Sequence, residues 1–397
     1  MLKKNVVIFG GQLFNKGAQA MTFITVDEIA KRMPDHNVIL FSSRDYKRIE
    51  HEKAQYKFGI LPNPRYRILL LATLSRRLKW LKKLATEDTD KEIIDALHSA
   101  DYFLDISGYA LGSDWGCENS IGYCRKLNYA KSCGVKVYLM PQSFGPFEYK
   151  GSQAKRTLKQ IEKSLPNAEL IMAREEEGYL LLKNMFKLNN VIKTYDMVLQ
   201  NKGIDIDSIY NVVPTINDPV VESGSVAIVP NSKTFKYSNS EEQFHIYDTL
   251  VSVLIQNHKY IYFLIHSSED RDICNQLYNR YKEKYDRCVL INDELNCIEF
   301  DKTVSKFDFI IASRYHSIVH AYRNSIPAIV LGWAVKYKEL MDLFDQGGYQ
   351  FNIREKVDLN YLTTAINRMC DEHIKESASI REKLEIIQRE NVFDNIV

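Results

Sequence analysis

Short apolar runs alternate with longer stretches of helical pattern along most of this chain, and no other feature restricts the possible folds as strongly. In the first half the runs are Val6–Phe9, Val38–Phe41, Tyr102–Ile106, Val135–Leu139 and Leu170–Met172. A second series opens at Ser225–Pro230 and continues with Tyr260–Ile265, Cys288–Ile291, Phe307–Ala312 and Pro327–Leu331. Such runs, with glycines at several of their ends, read as strands, and the helical stretches between them read as crossovers. Repeated strand–helix–strand units build mostly parallel sheets. The pattern therefore predicts an α/β chain of two domains with a cleft between them.

The rhythm breaks over residues 201–223, where Gly203, Pro214 and Pro219 fall close together with Gly224 just beyond, which marks a linker. We expect a first domain at 1–200, a second at 224–370, and a charged closing helix at 371–397. Its stripe of Ile380, Leu384, Ile387 and Val392 would pack back across the domain seam. The chain carries 53 Lys and Arg against 51 Asp and Glu, a net charge of +2 that gives no field to attract nucleic acid. The seven cysteines are scattered and form no C-x-x-C pair, which argues against a zinc ribbon or disulfide scaffold and for a reducing compartment. The apolar run after Lys4 is too short for a signal peptide, and no window approaches a membrane span. The expected location is cytoplasmic.

The neutral average hides one biased segment. Residues 53–86 hold no acid, while Lys53, Lys57, Arg65, Arg67, Arg76, Arg77, Lys79, Lys82 and Lys83 are all basic and interleave with leucines and Trp80. A basic amphipathic helix over 65–84 would suit an anionic membrane surface. The plain alternative is a solvated helix face whose opposite side is core.

Three groups of residues could carry chemistry. After the first strand, Gly10–Met21 brings a double glycine and a helix start, where Gly11, Asn15 and Gln19 could meet an anion or a sugar hydroxyl; the spacing is neither a dinucleotide fingerprint nor a P-loop. Beyond the strand at 307–312 come Arg314, His316 and Ser317, a compact anion site at a helix start. His316 and His320 share one helical face, but Ser317 stands where a zinc motif has glutamate and no third ligand is indicated, so no metal is assigned. Further polar residues recur at strand ends: Asp105, Gln142, Ser143, Arg174, Glu175, Asp196, Asn231, His266 and Lys336. Together they outline a cleft rich in donors that lacks a G-x-S-x-G elbow and a Cys beside a His.

These elements, in this order over roughly residues 5–350, resemble the polysaccharide pyruvyl transferases. The most specific piece is Arg314-Tyr315-His316-Ser317, followed by Ile326-Pro327 and Lys336. The resemblance implies two Rossmann-like domains in a GT-B-like arrangement. It also implies transfer of an enolpyruvyl unit from phosphoenolpyruvate to two hydroxyls of a sugar, giving a pyruvate ketal and phosphate, with no cofactor. Arg314 and His316 would hold the donor, with Arg174 and Lys336 as further cations. His316 is the candidate for proton transfer, Glu175 or Asp105 the acceptor-side base, and Gly11, Asn15 and Gln19 would face the acceptor. That acceptor is expected on a polyprenyl diphosphate carrier, which would place the protein at the inner face of the plasma membrane through residues 65–84. Two rivals are a GT-B glycosyltransferase using a nucleotide sugar and a non-enzymatic scaffold of polysaccharide assembly.

Overall fold

The computed structural model describes residues 4–237 and 239–396; residues 1–3, Ser238 and Val397, with the outer bounds expected for the first domain and the closing helix, lie outside the described residues. Eight strands form the first sheet: β1 (Lys4–Phe9), β2 (His36–Phe41), β3 (Gly59–Leu61), β4 (Ala100–Asp105), β5 (Tyr109–Leu111), β6 (Lys136–Phe144), β7 (Leu170–Ala173) and β8 (Val191–Lys193). They run parallel in the order β3-β2-β1-β4-β6-β7-β8, with β5 pairing on the end of β6. The second sheet is parallel in the order β11-β10-β9-β12-β13-β14, from β9 (Ser225–Val229), β10 (Tyr260–Leu264), β11 (Cys288–Ile291), β12 (Phe309–Ala312), β13 (Ala328–Gly332) and β14 (Gln350–Asn352). Both are Rossmann-like sheets covered by helices, which is why central strands such as Val6-Val7-Ile8 and Val226-Ala227-Ile228-Val229 are wholly buried. Sequence periodicity misses β3, β5, β8 and β14. Each has three residues, too few to display an alternation.

Three expectations change. One helix runs without interruption from Leu359 to Ile387, so a boundary at 370/371 falls inside it. Beyond it the chain returns to the first domain: Asn391 donates to Glu28, the Val392 amide donates to Gln200, and Asp394 pairs with Arg32. The stretch 201–223 is partly strapped down, since Tyr210 bridges Tyr56 and the Asn211 side chain donates to the carbonyls of Ala54 and Tyr56. Residues 65–84 form no single helix. Tyr66–Ser75 is α-helical with Ile68, Leu69, Leu71, Ala72 and Ser75 buried, and a 3-10 turn follows at Lys79–Leu84 with no buried residue. A continued α-helix would have had no buried face to support it. Among the described residues no helix is long and apolar enough to cross a membrane.

Candidate active site

In parallel sheets of this kind, ligands gather beyond the carboxyl ends of the strands, where successive crossovers diverge to opposite sides. Strand order puts that point between β1 and β4 in one sheet and between β9 and β12 in the other. The loops that follow these strands hold most of the sequence-derived candidates, and the two sets meet. Asn15 forms an antiparallel bridge with Ser267. A Cβ on Gly17 would lie 2.2 Å from Cγ of His316.

Several candidates turn out to be engaged inside the protein. Gly11 is packed so closely that a Cβ would meet Thr22 Oγ1 at 2.6 Å, so it faces the core rather than an acceptor. Asn15 caps the helix Lys16–Arg32, accepting from the amides of Gly17 and Ala18. Gln19 is buried, and its Oε1 accepts from the Cys297 amide across the domain seam. Asp105 is fully buried, accepting from Ser107, from the Tyr123 hydroxyl and from Gln142 Nε2. Burial pushes its carboxyl up, which these donors oppose, and no face remains for an acceptor-side base. Asn231 ties β9 to β12 by donating to the Ser313 carbonyl, and the Ser317 hydroxyl donates to the Arg314 carbonyl at the helix start. His266 is buried, with neither ring nitrogen bonded, and lies edge-on to Phe300. Burial first, then Arg314, pushes its pKa well down.

Arg314 corrects the sequence reading most sharply. Its guanidinium is bound to Asp270 through Nε at 2.8 Å and Nη2 at 2.6 Å, with Glu269 beside it, so that edge of its fork is taken and an anion could reach it only through Nη1. Asp270 follows β10, and only the folded sheet brings it beside a residue that follows β12. Arg174 is similarly enclosed. Its Nε donates to Glu175, Nη1 to Asp196 at 2.7 Å and Nη2 to the Ser143 hydroxyl at 2.7 Å, while its plane stacks over Tyr315. Burial opposes this charge, yet Tyr315, Glu175 and Asp196 hold its pKa above the usual range. Arg174 thus organises the carboxylates.

The open chemistry lies in a cleft of about 540 Å³ between the domains. Tyr109, Trp115, Ser143 and Glu175 line it from the first domain; Lys233 and Lys336 face them from the second. Lys336 sits between the rings of Tyr109, Tyr315 and Tyr337, its Nζ 5.3 to 5.8 Å from their centroids. Burial, then the nearby Arg174, lowers its pKa to about 8. The helix Val335–Leu343 starts in the cleft with no side-chain cap, so its first amides are available to an anion. One turn after Lys336, the Glu339 carboxylate accepts from the amides of Glu176 and Glu177, clamping the helix to the first domain. Glu175 Oε2 is buried without a bonded partner beside this cleft. Sequence reasoning missed Tyr109, Trp115 and the Glu339 clamp; aromatics shortly after strand ends were the only available signal. Among the described residues no cluster of His, Cys, Asp and Glu is arranged to hold a metal ion.

A family model described as polysaccharide pyruvyl transferase matches residues 15–334. The chain belongs to that family. No match to a curated protein was found. Solved structures show the transferase's fold. It superposes on the UDP-GlcNAc 2-epimerase of Methanocaldococcus jannaschii with a TM-score of 0.56 at 12% identity, covering 97% of this chain and 100% of that one. A UDP-glucose: anthocyanidin 3-O-glucosyltransferase in complex with UDP gives 0.54 at 13%, covering 98% and 94%. Medicago truncatula UGT71G1 complexed with UDP-glucose gives 0.54 at 9%, covering 99% and 95%. The fold is GT-B.

In this transferase the closeness of Gly17 to His316 makes a direct prediction. Gly17→Ala is expected to displace the imidazole and lower turnover at least about tenfold, a loss of about 1.4 kcal/mol in transition-state stabilisation. The helix itself gains from alanine, but Cβ of His316 would lie 2.4 Å from the new methyl and cannot rotate away, so a net folding cost of about 1–3 kcal/mol is expected beside the loss of turnover. Wild-type turnover in the alanine variant would show that the ring position does not matter.

Proposed function

We propose that this transferase moves the enolpyruvyl unit of phosphoenolpyruvate onto two hydroxyls of one sugar, forming a cyclic pyruvate ketal and releasing phosphate. The observation that carries the reading is the cleft itself, where Lys336, Lys233 and an uncapped helix start oppose Ser143 and Glu175. Phosphoenolpyruvate carries a phosphate and a carboxylate on three carbons, and a compact cationic pocket at a helix start suits that charge density. The uncharged remainder, walled by Tyr109 and Trp115, suits the face of a sugar ring.

The chemistry needs one proton placed on the methylene carbon and two removed from the acceptor. Protonation of C3 leaves an electron-poor C2, which the first sugar hydroxyl attacks while losing its proton. The C2–O bond to phosphate then breaks, phosphate leaves with its electron pair, and the second hydroxyl closes the ring. One of the two hydroxyl protons balances C3 and the other leaves with phosphate. In this scheme Lys336 and the Val335–Leu343 helix start hold the donor, Glu175 Oε2 accepts a hydroxyl proton, and Arg174 keeps Glu175 and Asp196 in register. The proposed acceptor is a sugar on a polyprenyl diphosphate carrier, as suits surface polysaccharide assembly.

Nucleotide-sugar transfer is the second reading, favoured by the UDP and UDP-glucose complexes among the structural neighbours. Thermal shift separates the two. Phosphoenolpyruvate is expected to raise the melting temperature and UDP to leave it unchanged, with phosphate release and the matching mass gain appearing on a panel of lipid-linked sugars. Stabilisation by UDP alone would overturn the pyruvyl reading.

A further inference from the structure

On the side of the first domain away from the core of Tyr66–Ser75, large apolar residues stand in solvent. Tyr66, Leu74, Leu78, Trp80 and Leu84 are 53%, 43%, 50%, 60% and 47% exposed within a stretch of nineteen residues. Scattered exposed leucines are ordinary, but five large apolar side chains on one short segment form a patch.

The charges around the patch have one sign. Acids beginning at Glu87 neutralise two of the cations: Arg65 pairs with Glu87 and Asp90, and Lys82 with Asp95. Arg67 and Arg76 reach only the carbonyls of Leu84 and His98, which leaves their charge uncompensated. Arg77, Lys79 and Lys83 are exposed, and no carboxylate partners them among the described residues. Five cations therefore surround the exposed leucines and Trp80.

We propose that the outer face of residues 66–84 docks on the surface of an anionic lipid bilayer. Protruding leucines and a tryptophan suit the boundary between headgroups and acyl chains, and uncompensated Arg and Lys suit anionic headgroups. A second copy of the chain fits poorly, because a two-fold contact would set the same five cations against each other. The position is also suitable. Tyr129 packs edge-on against Tyr66, and Arg125 lies over the Tyr66 ring. Both belong to the helix Gly116–Ser132, whose other end adjoins Trp115 at the cleft. At about 1.5 Å per residue that helix separates patch and cleft by roughly 20 Å. The inference stands on the surface alone and does not depend on the donor being phosphoenolpyruvate.

Co-sedimentation of the full chain with vesicles tests it. Binding is expected to mixed phosphatidylglycerol and phosphatidylcholine vesicles, not to phosphatidylcholine alone, and to fall with salt. Combined Arg77→Glu, Lys79→Glu and Lys83→Glu should weaken binding by about tenfold or more. A separate Leu78→Ser and Trp80→Ser variant should weaken it while circular dichroism and turnover of a soluble acceptor stay unchanged. Equal binding by the charge-reversed chain, or none by the wild type, would overturn the proposal. So would a dimer that Leu78→Ser and Trp80→Ser dissociate in the absence of vesicle binding.

Discussion

Lys336→Met is expected to abolish phosphate release and, in the same protein without substrate, to raise the melting temperature. The two effects have one origin. The Lys336 ammonium is held among three tyrosine rings at the cleft, and although the rings attract a cation, burial dominates and lowers the pKa to about 8. The folded protein thus carries a charge at neutral pH that it would bind less readily than the unfolded chain does. Methionine has a similar shape without that cost, so the empty protein gains stability on the order of 1–3 kcal/mol, as when buried charges are replaced by apolar residues of similar volume. An anionic donor meanwhile loses the cation facing it, and turnover should fall by about a thousandfold or more, the scale of an electrostatic clamp on a phosphoryl group. The pH dependence has a definite sign. Donor binding requires the ammonium and should fade as pH rises through about 8. Stability moves the other way: between about 8 and 10.5 the unfolded chain holds the proton that the folded one has released, so stability rises with pH there. Methionine removes both slopes. If Lys336→Met melted lower than wild type while keeping its activity, the lysine would be a structural cation and the cleft would need another anion site.

What could be read from the sequence differs between the strand pattern and the side chains at the strand ends. β1, β4, β6, β9, β10 and β12 are apolar runs, and their parallel order follows from crossover length, so the location of the cleft was available before any coordinates. Ser143, Glu175 and Lys336 were read as strand-end polar groups and do converge on it. The pairing of Arg314 is something spacing cannot reveal: its partner Asp270 follows a different strand and meets it only when β9 brings β10 and β12 to either side. Asp105 and Gln142 were read as facing substrate, yet they bond to each other and to Tyr123, because polar groups buried at a strand end must find partners inside. Glycine told least. Gly11 could have meant ligand approach or close packing, and Thr22 settles it as packing.

His316 is expected to act as a neutral imidazole, and His316→Ala to lower turnover by about 10²–10⁴, the range of a proton-transfer group. The sequence suggested a histidine that gains or loses a proton near neutral pH. Burial holds it instead at about 3, against the pull of Asp196, whose Oδ2 lies 3.6 Å from Nε2. Arg174 already occupies that oxygen at 2.7 Å, and Nε2 has no hydrogen-bond partner. A ring in this state has no second proton to give as an acid and is too weak a base to keep a hydroxyl's proton. The expected role is to accept a hydrogen bond from an acceptor hydroxyl and share its proton only in the transition state. The activity profile follows. In wild type no fall in kcat/KM between pH 5 and 7 should belong to His316, and His316→Ala should keep the shape of the profile at a lower level. An acid limb near pH 6 that vanished in His316→Ala would mean the imidazole titrates normally and would overturn the neutral assignment. Stability gives an independent reading. Between about 6.5 and 3 the unfolded chain binds a proton that folded His316 refuses, so stability falls as pH drops, by up to about 1.4 kcal/mol per unit. His266, whose pKa burial and Arg314 also lower, adds a decline of the same sign. Urea midpoints measured from pH 7 to 4 should therefore fall less steeply for His316→Ala than for wild type, and an unchanged slope would show that the ring titrates in the fold as it does in the unfolded chain.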